Sequence, residues 1–303
     1  MAYIHTTHTT ADVAFSFETP FSAVLPNVSR TFVLSESDRE AVLDFLNERP
    51  VHTVAMTSMI LDNGVESQLN RGTFYGYHDR FGTLEGVALI GHTTLVEARS
   101  ETALFALAQA AKKRANEIHL ILSSGDTSLD MWALIFDKSG SPRRVNRETL
   151  FEAGFPFPVA ACPFQVRAAR PEELEQIAEA HAEVTFIESG VDPMVKDREG
   201  FLKRVARRIE QGRTFVVFEG DRLLFKADVM AMTGETAYIE GVYVAEEHRG
   251  QGVGPKCLSE VTRRLLGAVD NVCLLSSDEM TAAHRSFEKA GYTRSGHCTA
   301  VFA

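Results

Sequence analysis

The chain has 303 residues, of which 45% are hydrophobic and 24% are charged, and its formal net charge at pH 7 is −10. This length predicts two globular domains of ordinary size, each able to bury a core. The acidic balance disfavours nonspecific nucleic-acid binding, in which Lys and Arg must neutralise phosphates. It is compatible with a cationic or amine-bearing substrate, although solubility alone also explains an acidic surface.

Neither membrane segments nor cysteine motifs are evident. No apolar run approaches the roughly eighteen residues that a membrane span needs, and residues 1–8 lack the basic-then-apolar pattern of a signal peptide. We therefore expect a cytoplasmic protein without a membrane partner. The cysteines have no C-x-x-C spacing and lie in or near apolar segments, which predicts reduced core thiols and no metal site. They are Cys162, Cys257, Cys273 and Cys298.

In the N-terminal half, the first clear signal is an apolar strand start at 86–90. The stretch that follows, 91–98, has no closely spaced glycines. A second strand ends at 121–124, and a helix is predicted over 129–137, closed by Gly140. This half is therefore expected to contain both strands and helices.

A proline-containing segment over 149–163 separates the two halves. Proline cannot continue a helix and breaks strand pairing, so we expect the connection between domains there. The predicted domains are 1–160 and 161–303.

The C-terminal half begins with a strand and a helix within 164–177, followed by a second helix over 197–211. Two strands over 213–219 and 222–232 are joined at Gly220-Asp221, a strong hairpin signal. One face of the second helix is basic and is expected to be solvated. Its residues are Lys203, Arg204, Arg207 and Arg208.

The most informative stretch is a glycine-rich loop between an apolar strand at 238–244 and an amphipathic helix. Its residues are Arg249, Gly250, Gln251, Gly252, Val253 and Gly254. Glycine permits backbone angles that turn successive N–H groups toward one anion, and the following helix dipole favours negative charge. Pro255 suits the first helical position. The helix buries a face formed by Cys257, Leu258, Val261 and Leu265. Neither a P-loop nor a Rossmann fingerprint is present, so the loop predicts a different kind of phosphate site.

A short strand over 271–275, a helix over 281–290 ended by Gly291, and a last strand over 297–302 complete the chain. The two halves share local sequence. Gly86 and Gly241 begin similar strands about half the chain apart, and 121–124 and 274–277 are similar strand ends followed by helices. We infer a duplicated fold whose first copy lacks the glycine loop.

The pattern R-x-x-G-x-G after a strand ending in Gly241-Val-Tyr-Val resembles the pyrophosphate loop of the GNAT superfamily of N-acetyltransferases. The order of predicted elements from Phe164 onward is similar to that of the same family. The resemblance implies an α/β (α+β) protein of two GNAT-like domains, each a mixed central sheet flanked by helices, with a degenerate, noncatalytic N-terminal copy. It also implies acetyl-CoA as acyl donor, held by the loop residues and by the backbone of Val242, Tyr243 and Val244.

Acyl transfer to an amine needs a group that removes a proton from the nucleophile. Glu240 is our main candidate for general base, because strand alternation places it on the same face as Tyr238 and Val242. Tyr238 is the alternative base. Family members often carry an asparagine and a tyrosine, the leaving-thiolate acid, where this chain has Met280 and Phe287. His284, one turn before Phe287, is a candidate for the missing acid, although such a histidine is more often a surface or capping residue.

The sequence thus predicts an N-acetyltransferase that moves an acetyl group from acetyl-CoA to a small-molecule or peptide amine. Because Phe287 has no proton to give, an acyl-CoA-binding sensor or regulatory protein is the alternative. Aminoacyl transfer from transfer RNA fits poorly with the intact pyrophosphate loop and the acidic balance. The acceptor and the acyl length stay open, as does a homodimeric state. One coenzyme A site per chain is expected, retained by the segment from Phe164 onward if the domains fold independently.

Overall fold

The computed structural model describes residues 30–136, 140–158 and 161–303. The expectations for residues 1–8 and for Asp137 lie outside these ranges.

The two halves have the same order of helices and strands, except that the second half has one additional short helix (Pro193–Lys196). The first half contains β1 (Thr31–Val33), α1 (Arg39–Asn47), α2 (Pro50–Asn63), β2 (Gly72–His78), β3 (Leu84–Gly91), β4 (Thr93–Ala98), α3 (Glu101–Lys112), β5 (Leu120–Ser124), α4 (Thr127–Phe136) and β6 (Arg144–Gly154). The second half contains β7 (Arg167–Ala168), α5 (Leu174–Ser189), α6 (Pro193–Lys196), α7 (Arg198–Glu210), β8 (Thr214–Glu219), β9 (Arg222–Met232), β10 (Thr236–Val244), α8 (Val253–Leu265), β11 (Asn271–Ser277), α9 (Thr281–Ala290) and β12 (Thr293–Phe302).

All these strands form one twelve-stranded sheet in the order β1-β2-β3-β4-β5-β12-β6-β11-β10-β9-β8-β7. The halves exchange their last strands within it. β12 pairs with β5 of the first half, β6 pairs with β11 of the second half, and β6 and β12 pair antiparallel at the centre. The predicted mixed α/β class is confirmed, and the sheet is continuous across both halves.

The helices cover the sheet through separate apolar clusters. In the second half, α8 packs on the sheet through the predicted residues, and Cys257, Leu258 and Val261 have no exposed surface. In the first half, the alanine-rich α3 packs in the same way beside α4. Full burial of such a face contributes about 1.5–3 kcal/mol per large side chain, which fixes each helix against the strands that precede and follow it.

Two boundaries differ from the sequence prediction. Residues 149–154 do not belong to the connection but form the end of β6, since the prolines begin only at Pro156. The helix after the glycine loop, α8, begins at Val253, so Pro255 is its third residue rather than its first. Proline is tolerated there because the first-turn N–H groups have no partner within a helix.

The equivalence of Gly86 and Gly241 is also wrong. Gly86 lies in β3, whose place in the second half is taken by β9, whereas Gly241 lies in β10 and matches β4. The pairing directions show this, because β4 pairs parallel with β5 just as β10 pairs parallel with β11. The other predicted match, 121–124 with 274–277, falls on the equivalent strands β5 and β11.

All four cysteines are free thiols, and Cys257, Cys273 and Cys298 are buried. Tyr292 is in the core as expected, with its hydroxyl 2.6 Å from the hydroxyl of Thr262. None of the helices within the described ranges is both long and apolar enough to cross a bilayer.

Candidate active site

The site lies where β10 separates from β11. The two strands pair in parallel from Thr236↔Asn271 only as far as Ile239↔Leu274. Beyond that point β11 continues to pair with β6, whereas β10 stays with β9. The edge of β10 from Glu240 to Val244 is therefore open on the β11 side, which leaves backbone groups available to a ligand.

A bulge at Gly241 lies at the point where β10 separates from β11. The register moves from Glu240↔Asp228 to Tyr243↔Lys226, so β10 has one extra residue at this point, and Gly241 adopts a φ of 60°. Such a positive φ favours glycine, and an extra residue inverts the alternation of side chains that follow it.

The bulge corrects one expectation. Val242 does not share a face with Tyr238 and Glu240. It packs against the same cluster as Ile239, on the α8 side of the sheet, whereas Tyr238 packs against the opposite cluster with Val54. The prediction relied on strict alternation of side chains along β10, and the bulge at Gly241 interrupts that alternation.

The predicted glycine loop follows β10 and ends at the N-terminus of α8. Gly250 and Gly252 have φ values of 76° and 80°. A side chain at Gly250 would meet no atom within 4 Å, and one at Gly252 would meet only Lys256, at 3.9 Å. Gly252 is the N-cap of α8 and supplies no side-chain cap. The loop therefore faces open space with uncapped N–H groups, a combination that suits an anionic group.

Charged and polar side chains around the loop hold it in place. Arg249 donates from Nε to the carbonyl of Val244 at 2.9 Å and from Nη2 to Glu183 on α5 at 2.8 Å. Gln251 donates to the carbonyl of Glu247 at 2.7 Å. Lys256, exposed and one turn into α8, adds a cation beside Gly252 that the sequence analysis did not single out. Its position four residues after Gly252, about one helical turn, could have indicated from the sequence that this cation lies beside the loop.

Val253 and Gly254 form the first turn of α8, and both are buried. A side chain at Gly254 would lie 3.2 Å from the hydroxyl oxygen of Ser286 on α9 and 3.3 Å from Val244. Gly254 is thus needed for the close packing of α8 on its neighbours, while Gly250 and Gly252 are needed for backbone conformation.

Glu240 lies at the point where the strands separate, and it is half-buried. Burial raises the pKa of its carboxyl group, and the nearby Arg208 opposes that rise. Glu148, on β6 of the first half, interacts electrostatically with Glu240. Burial and the carboxylate of Glu240 raise the pKa of Glu148 to about 7. A carboxylate with a pKa in this range is suited to accept a proton at neutral pH.

A third carboxylate, Glu188, is near the C-terminal end of α5 and is exposed to solvent. Although much of the residue is accessible, partial desolvation of its carboxyl group, together with the charges of Glu240 and Glu148, raises its pKa. The end of α5 rests on β6, where Asn146 Nδ2 donates to the carbonyl of Glu188 at 3.4 Å. The acidic site therefore draws on both halves of the chain. Sequence analysis missed Glu148 and Glu188 because their proximity to Glu240 depends on long-range strand pairing.

Tyr238 lines a small cavity between α2 and the sheet, along with His52, Val54 and Cys273. Burial and the charge of Glu240 raise the pKa of its hydroxyl well above the usual value. Its phenol consequently stays protonated at neutral pH, which makes Tyr238 less suited than Glu240 to act as a base.

His284 is buried, contrary to the expectation of a surface or capping residue. Its ring lies 5.0 Å from that of Phe151 in an edge-to-face contact, and its Nε2 has no hydrogen-bond partner among the described residues. Phe287 packs on the same Phe151 ring at 5.5 Å and offers no proton. Met280 precedes α9 without capping it.

A buried group of charged side chains lies behind the bulge. Lys226 and Asp228 on β9 have no exposed side-chain surface and form an ion pair. Arg208 of α7 lies 3.1 Å from Asp228, and His181 of α5 lies 3.4 Å from it. The prediction of a fully solvated basic face on α7 is wrong for Arg208, whose side chain is 12% exposed.

The equivalent loop in the first half has a different chemistry. β4 leads to α3 after only Arg99 and Ser100, and Ser100 caps the helix by accepting from the N–H of Ala103 at 3.2 Å. The Ser100 hydroxyl also donates to the carboxylate of Glu85 at 2.7 Å. This helix N-terminus is therefore capped by the protein and carries a nearby negative charge, both of which oppose phosphate binding.

The comparisons with known proteins agree with this architecture. Residues 210–294 match the family model described as an acetyltransferase (GNAT) domain. No curated protein sequence matches the chain.

Solved structures show the same fold over both halves. A GNAT-family acetyltransferase from Colwellia psychrerythraea is 15% identical, with a TM-score of 0.56 over 90% of this chain and 99% of its own. A GCN5-related N-acetyltransferase from Sphaerobacter thermophilus is 14% identical, with a TM-score of 0.57 over 92% of this chain and 96% of its own. A tandem GNAT protein from the clavulanic acid biosynthesis pathway, solved without acetyl-CoA, is 12% identical, with a TM-score of 0.53 over 90% and 97%.

Proposed function

We propose that this protein transfers an acetyl group from acetyl-CoA to a cationic amine, since residues 210–294 match the family model of the GNAT acetyltransferase domain. The observation that carries the proposal is the loop from Arg249 to Gly254. It joins an opened strand edge to an uncapped helix N-terminus.

The donor fits the residues present. The N–H groups of Gly250, Gly252 and the first turn of α8, with the charge of Lys256, would hold the pyrophosphate. The open edge of β10 at Val242, Tyr243 and Val244 offers backbone groups to the extended arm of the donor. This arrangement would place the thioester near the bulge, within reach of Glu240.

The acceptor chemistry follows from the carboxylates. Glu240, Glu148 and Glu188 interact electrostatically and have raised pKa values, so the negative charge that they share at neutral pH attracts a protonated amine. The amine must then lose a proton before its nitrogen attacks the thioester carbon. Glu240 or Glu148 would accept that proton, since the pKa values of both carboxyl groups are raised.

The leaving thiolate needs a proton when the carbon–sulfur bond breaks. Phe287 cannot supply it, and His284 lies one turn before Phe287 on the same helix, α9. His284 is therefore our candidate acid, with solvent as the alternative, since a thiolate is a tolerable leaving group.

A second candidate function is acyl-CoA sensing without turnover. It is favoured by one observation, the packing of Phe287 on Phe151 where a proton-donating side chain would be expected. The loop would bind the ligand in either case.

Two measurements separate the candidates. Thermal shift with coenzyme A, acetyl-CoA and longer thioesters tests binding, and thiol release in the presence of mono-, di- and polyamines tests transfer. We expect stabilisation by acetyl-CoA and amine-dependent thiol release. Stabilisation without release over the whole amine panel would favour the sensor, and no stabilisation by any thioester would refute both.

A further inference from the structure

The peptide unit between Gly241 and Val242 is bonded to a buried cation. Lys226 Nζ donates a hydrogen bond to the carbonyl oxygen of Gly241 at 2.9 Å. The lysine comes from β9, the antiparallel neighbour of β10, and its side chain has no exposed surface. The contact is therefore shielded from water, in which it would be much weaker.

The surroundings of Lys226 keep this cation in one place. Its ammonium group pairs with Asp228, which also accepts from the hydroxyl of Thr214 at 2.7 Å. A second cation, Arg208, lies 3.1 Å from the same carboxylate. Burial and the charge of Lys226 lower the pKa of His181 to about 3, so this neighbour is neutral at pH 7. Burial lowers the pKa of Lys226, and the adjacent Asp228 carboxylate opposes that shift. With Lys226 held protonated by this ion pair, the cluster carries two positive charges against one negative charge.

Stability alone does not explain such a cluster. Desolvating an ion pair costs several kcal/mol per ion, and well-packed apolar residues would often stabilise the fold as well or better. The cluster sits directly behind the bulge, where a side chain added at Gly241 would lie 2.9 Å from Lys226 Nζ and 3.0 Å from His181 Nδ1. Its placement points to a role at the bulge.

The other end of the same peptide unit is the N–H of Val242. Val242 has no counterpart in the register with β9, and it lies beyond Ile239, the last residue of β10 that pairs with β11. Within one peptide group the carbonyl and the N–H are electronically linked. A cation bonded to the oxygen therefore makes the N–H a stronger donor, as in other chains of hydrogen bonds.

We propose that Lys226 is a positioning residue that holds the Gly241 bulge and strengthens the Val242 N–H as a donor to the thioester carbonyl. The inference rests on the proposed function, because it takes the thioester to lie at the opened edge of β10. Negative charge that develops on the carbonyl oxygen during attack would meet this N–H in front of a net positive cluster. Donors of this kind act most strongly on the transition state.

The test compares Lys226→Met and Lys226→Arg with the wild type, and uses Lys203→Met as the matched control. Lys203 is an exposed lysine on α7, with 73% of its side chain accessible. The first readout is the infrared carbonyl frequency of acetyl-CoA, labelled with ¹³C at the thioester carbonyl, when bound to each full-length protein. The second is the steady-state rate with the best amine of the panel. Circular dichroism and thermal melting verify that each variant is folded.

We expect the bound carbonyl to absorb at lower frequency than free acetyl-CoA in the wild type and in Lys203→Met. In Lys226→Met the frequency should return toward the free value. We expect kcat to fall about tenfold to a hundredfold, which is less than the roughly 10²–10³-fold loss on removing a donor outright, because the Val242 N–H itself remains. Kd for acetyl-CoA and KM for the amine should change less than about twofold. Lys226→Arg, which keeps the cation, should recover part of both effects. A purely structural role would not move the carbonyl frequency.

The results distinguish failure of this inference from failure of the proposed function. A lowered carbonyl frequency that depends on Lys226, without transfer to any amine, supports this inference and refutes the transferase. Transfer by the wild type, with frequency and kcat unchanged in a folded Lys226→Met, overturns this inference alone. If Lys226→Met does not fold, an unshifted carbonyl in the wild type overturns it, and a lowered frequency in both the wild type and Lys226→Arg supports it. No binding of acetyl-CoA to the wild type refutes both.

Discussion

Glu240 and Glu148 come from different halves of the chain, and each affects the protonation of the site. A carboxylate in water has a pKa near 4.3 and is a weak base at neutral pH. Burial raises the pKa of both groups here, and the charge of Glu240 raises that of Glu148 further. The cations Arg208 and Lys226 of the buried cluster oppose the rise in the pKa of Glu240.

We expect Glu240→Gln to keep acetyl-CoA binding and to lower kcat by about 10²-fold or more, because general-base catalysis contributes that much. The measurement is thiol release under saturating acetyl-CoA, with calorimetry for binding. Glu235→Gln, at an exposed glutamate just before β10, is the control and should leave kcat unchanged. Equal activity of the two variants would contradict the assignment of Glu240.

Replacing Phe287 by tyrosine tests the missing acid. A hydroxyl restored near the leaving sulfur should raise kcat where protonation by solvent is limiting, and should leave acetyl-CoA affinity nearly unchanged. His284→Gln should lower kcat in the wild-type background and have less effect when Phe287→Tyr is also present. An equal loss in both backgrounds would argue against His284 as the acid.

The pH dependence should reflect the raised carboxyl pKa values. A base must be deprotonated, so kcat/KM should rise with pH through the pKa of Glu148, about 7, rather than through that of an ordinary glutamate. Glu240→Gln removes a like charge and should move the pKa of Glu148 downward. A titration of the Glu148 carboxyl by NMR between pH 4 and 9, in the wild type and in Glu240→Gln, measures that shift. An unchanged pKa would mean that the two carboxyl groups do not interact.

Two helices at equivalent places in the halves, α8 and α3, differ in what bonds to the N–H groups of their first turns. α8 begins after glycines with positive φ and has no side-chain cap, so its N–H groups are available to an external anion. α3 begins at Ser100, whose side chain caps it close to the carboxylate of Glu85. One fold therefore has one helix that can receive a phosphate and one that cannot.

Gly252→Val should weaken acetyl-CoA binding at least tenfold, about 1.4 kcal/mol, because the branched side chain strains φ and obstructs the approach of phosphate. Gly212→Val is a matched control, since Gly212 also has a positive φ, of 68°, and open surroundings. It should destabilise the protein to a similar extent without changing the affinity. Calorimetric titration of both variants, after each is verified as folded, makes the comparison, and it should also give one site per wild-type chain. Unchanged affinity in Gly252→Val, or two equivalent sites in the wild type, would contradict the assignment.

At the scale of the whole molecule, the exchange of β6 and β12 joins the halves through backbone hydrogen bonds. β6 lies between β11 and β12, so the second half is not a complete sheet without a strand from the first. Arg213 adds a link outside the sheet by donating to both carboxylate oxygens of Asp62, at 2.5 Å and 2.9 Å. The expectation that the segment from Phe164 onward retains binding by itself therefore conflicts with the observed topology.

We expect the protein to stay assembled after its connection is cut. A protease site placed after Pro158 would separate β6 from β7 along the chain but leave every strand pair intact. The two fragments should elute together in size-exclusion chromatography and bind acetyl-CoA with the affinity of the uncut protein, and they should separate only in denaturant. Separate elution under native conditions would show that the exchanged strands do not hold the halves together.

The sequence by itself determined the features that depend on neighbouring residues. The glycine loop, the amphipathic helix α8, the hairpin at Gly220-Asp221 and Glu240 as a carboxylate just before the loop could be read directly, because local backbone chemistry and side-chain periodicity specify them. The tertiary structure decided the rest. Glu148 and Lys226 acquire their places near Glu240 only through strand pairing, and the face of Val242 depends on a bulge that inverts the alternation. The exchange of β6 and β12 was likewise invisible, since a strand's pattern shows that one face is buried but not which strand lies beside it.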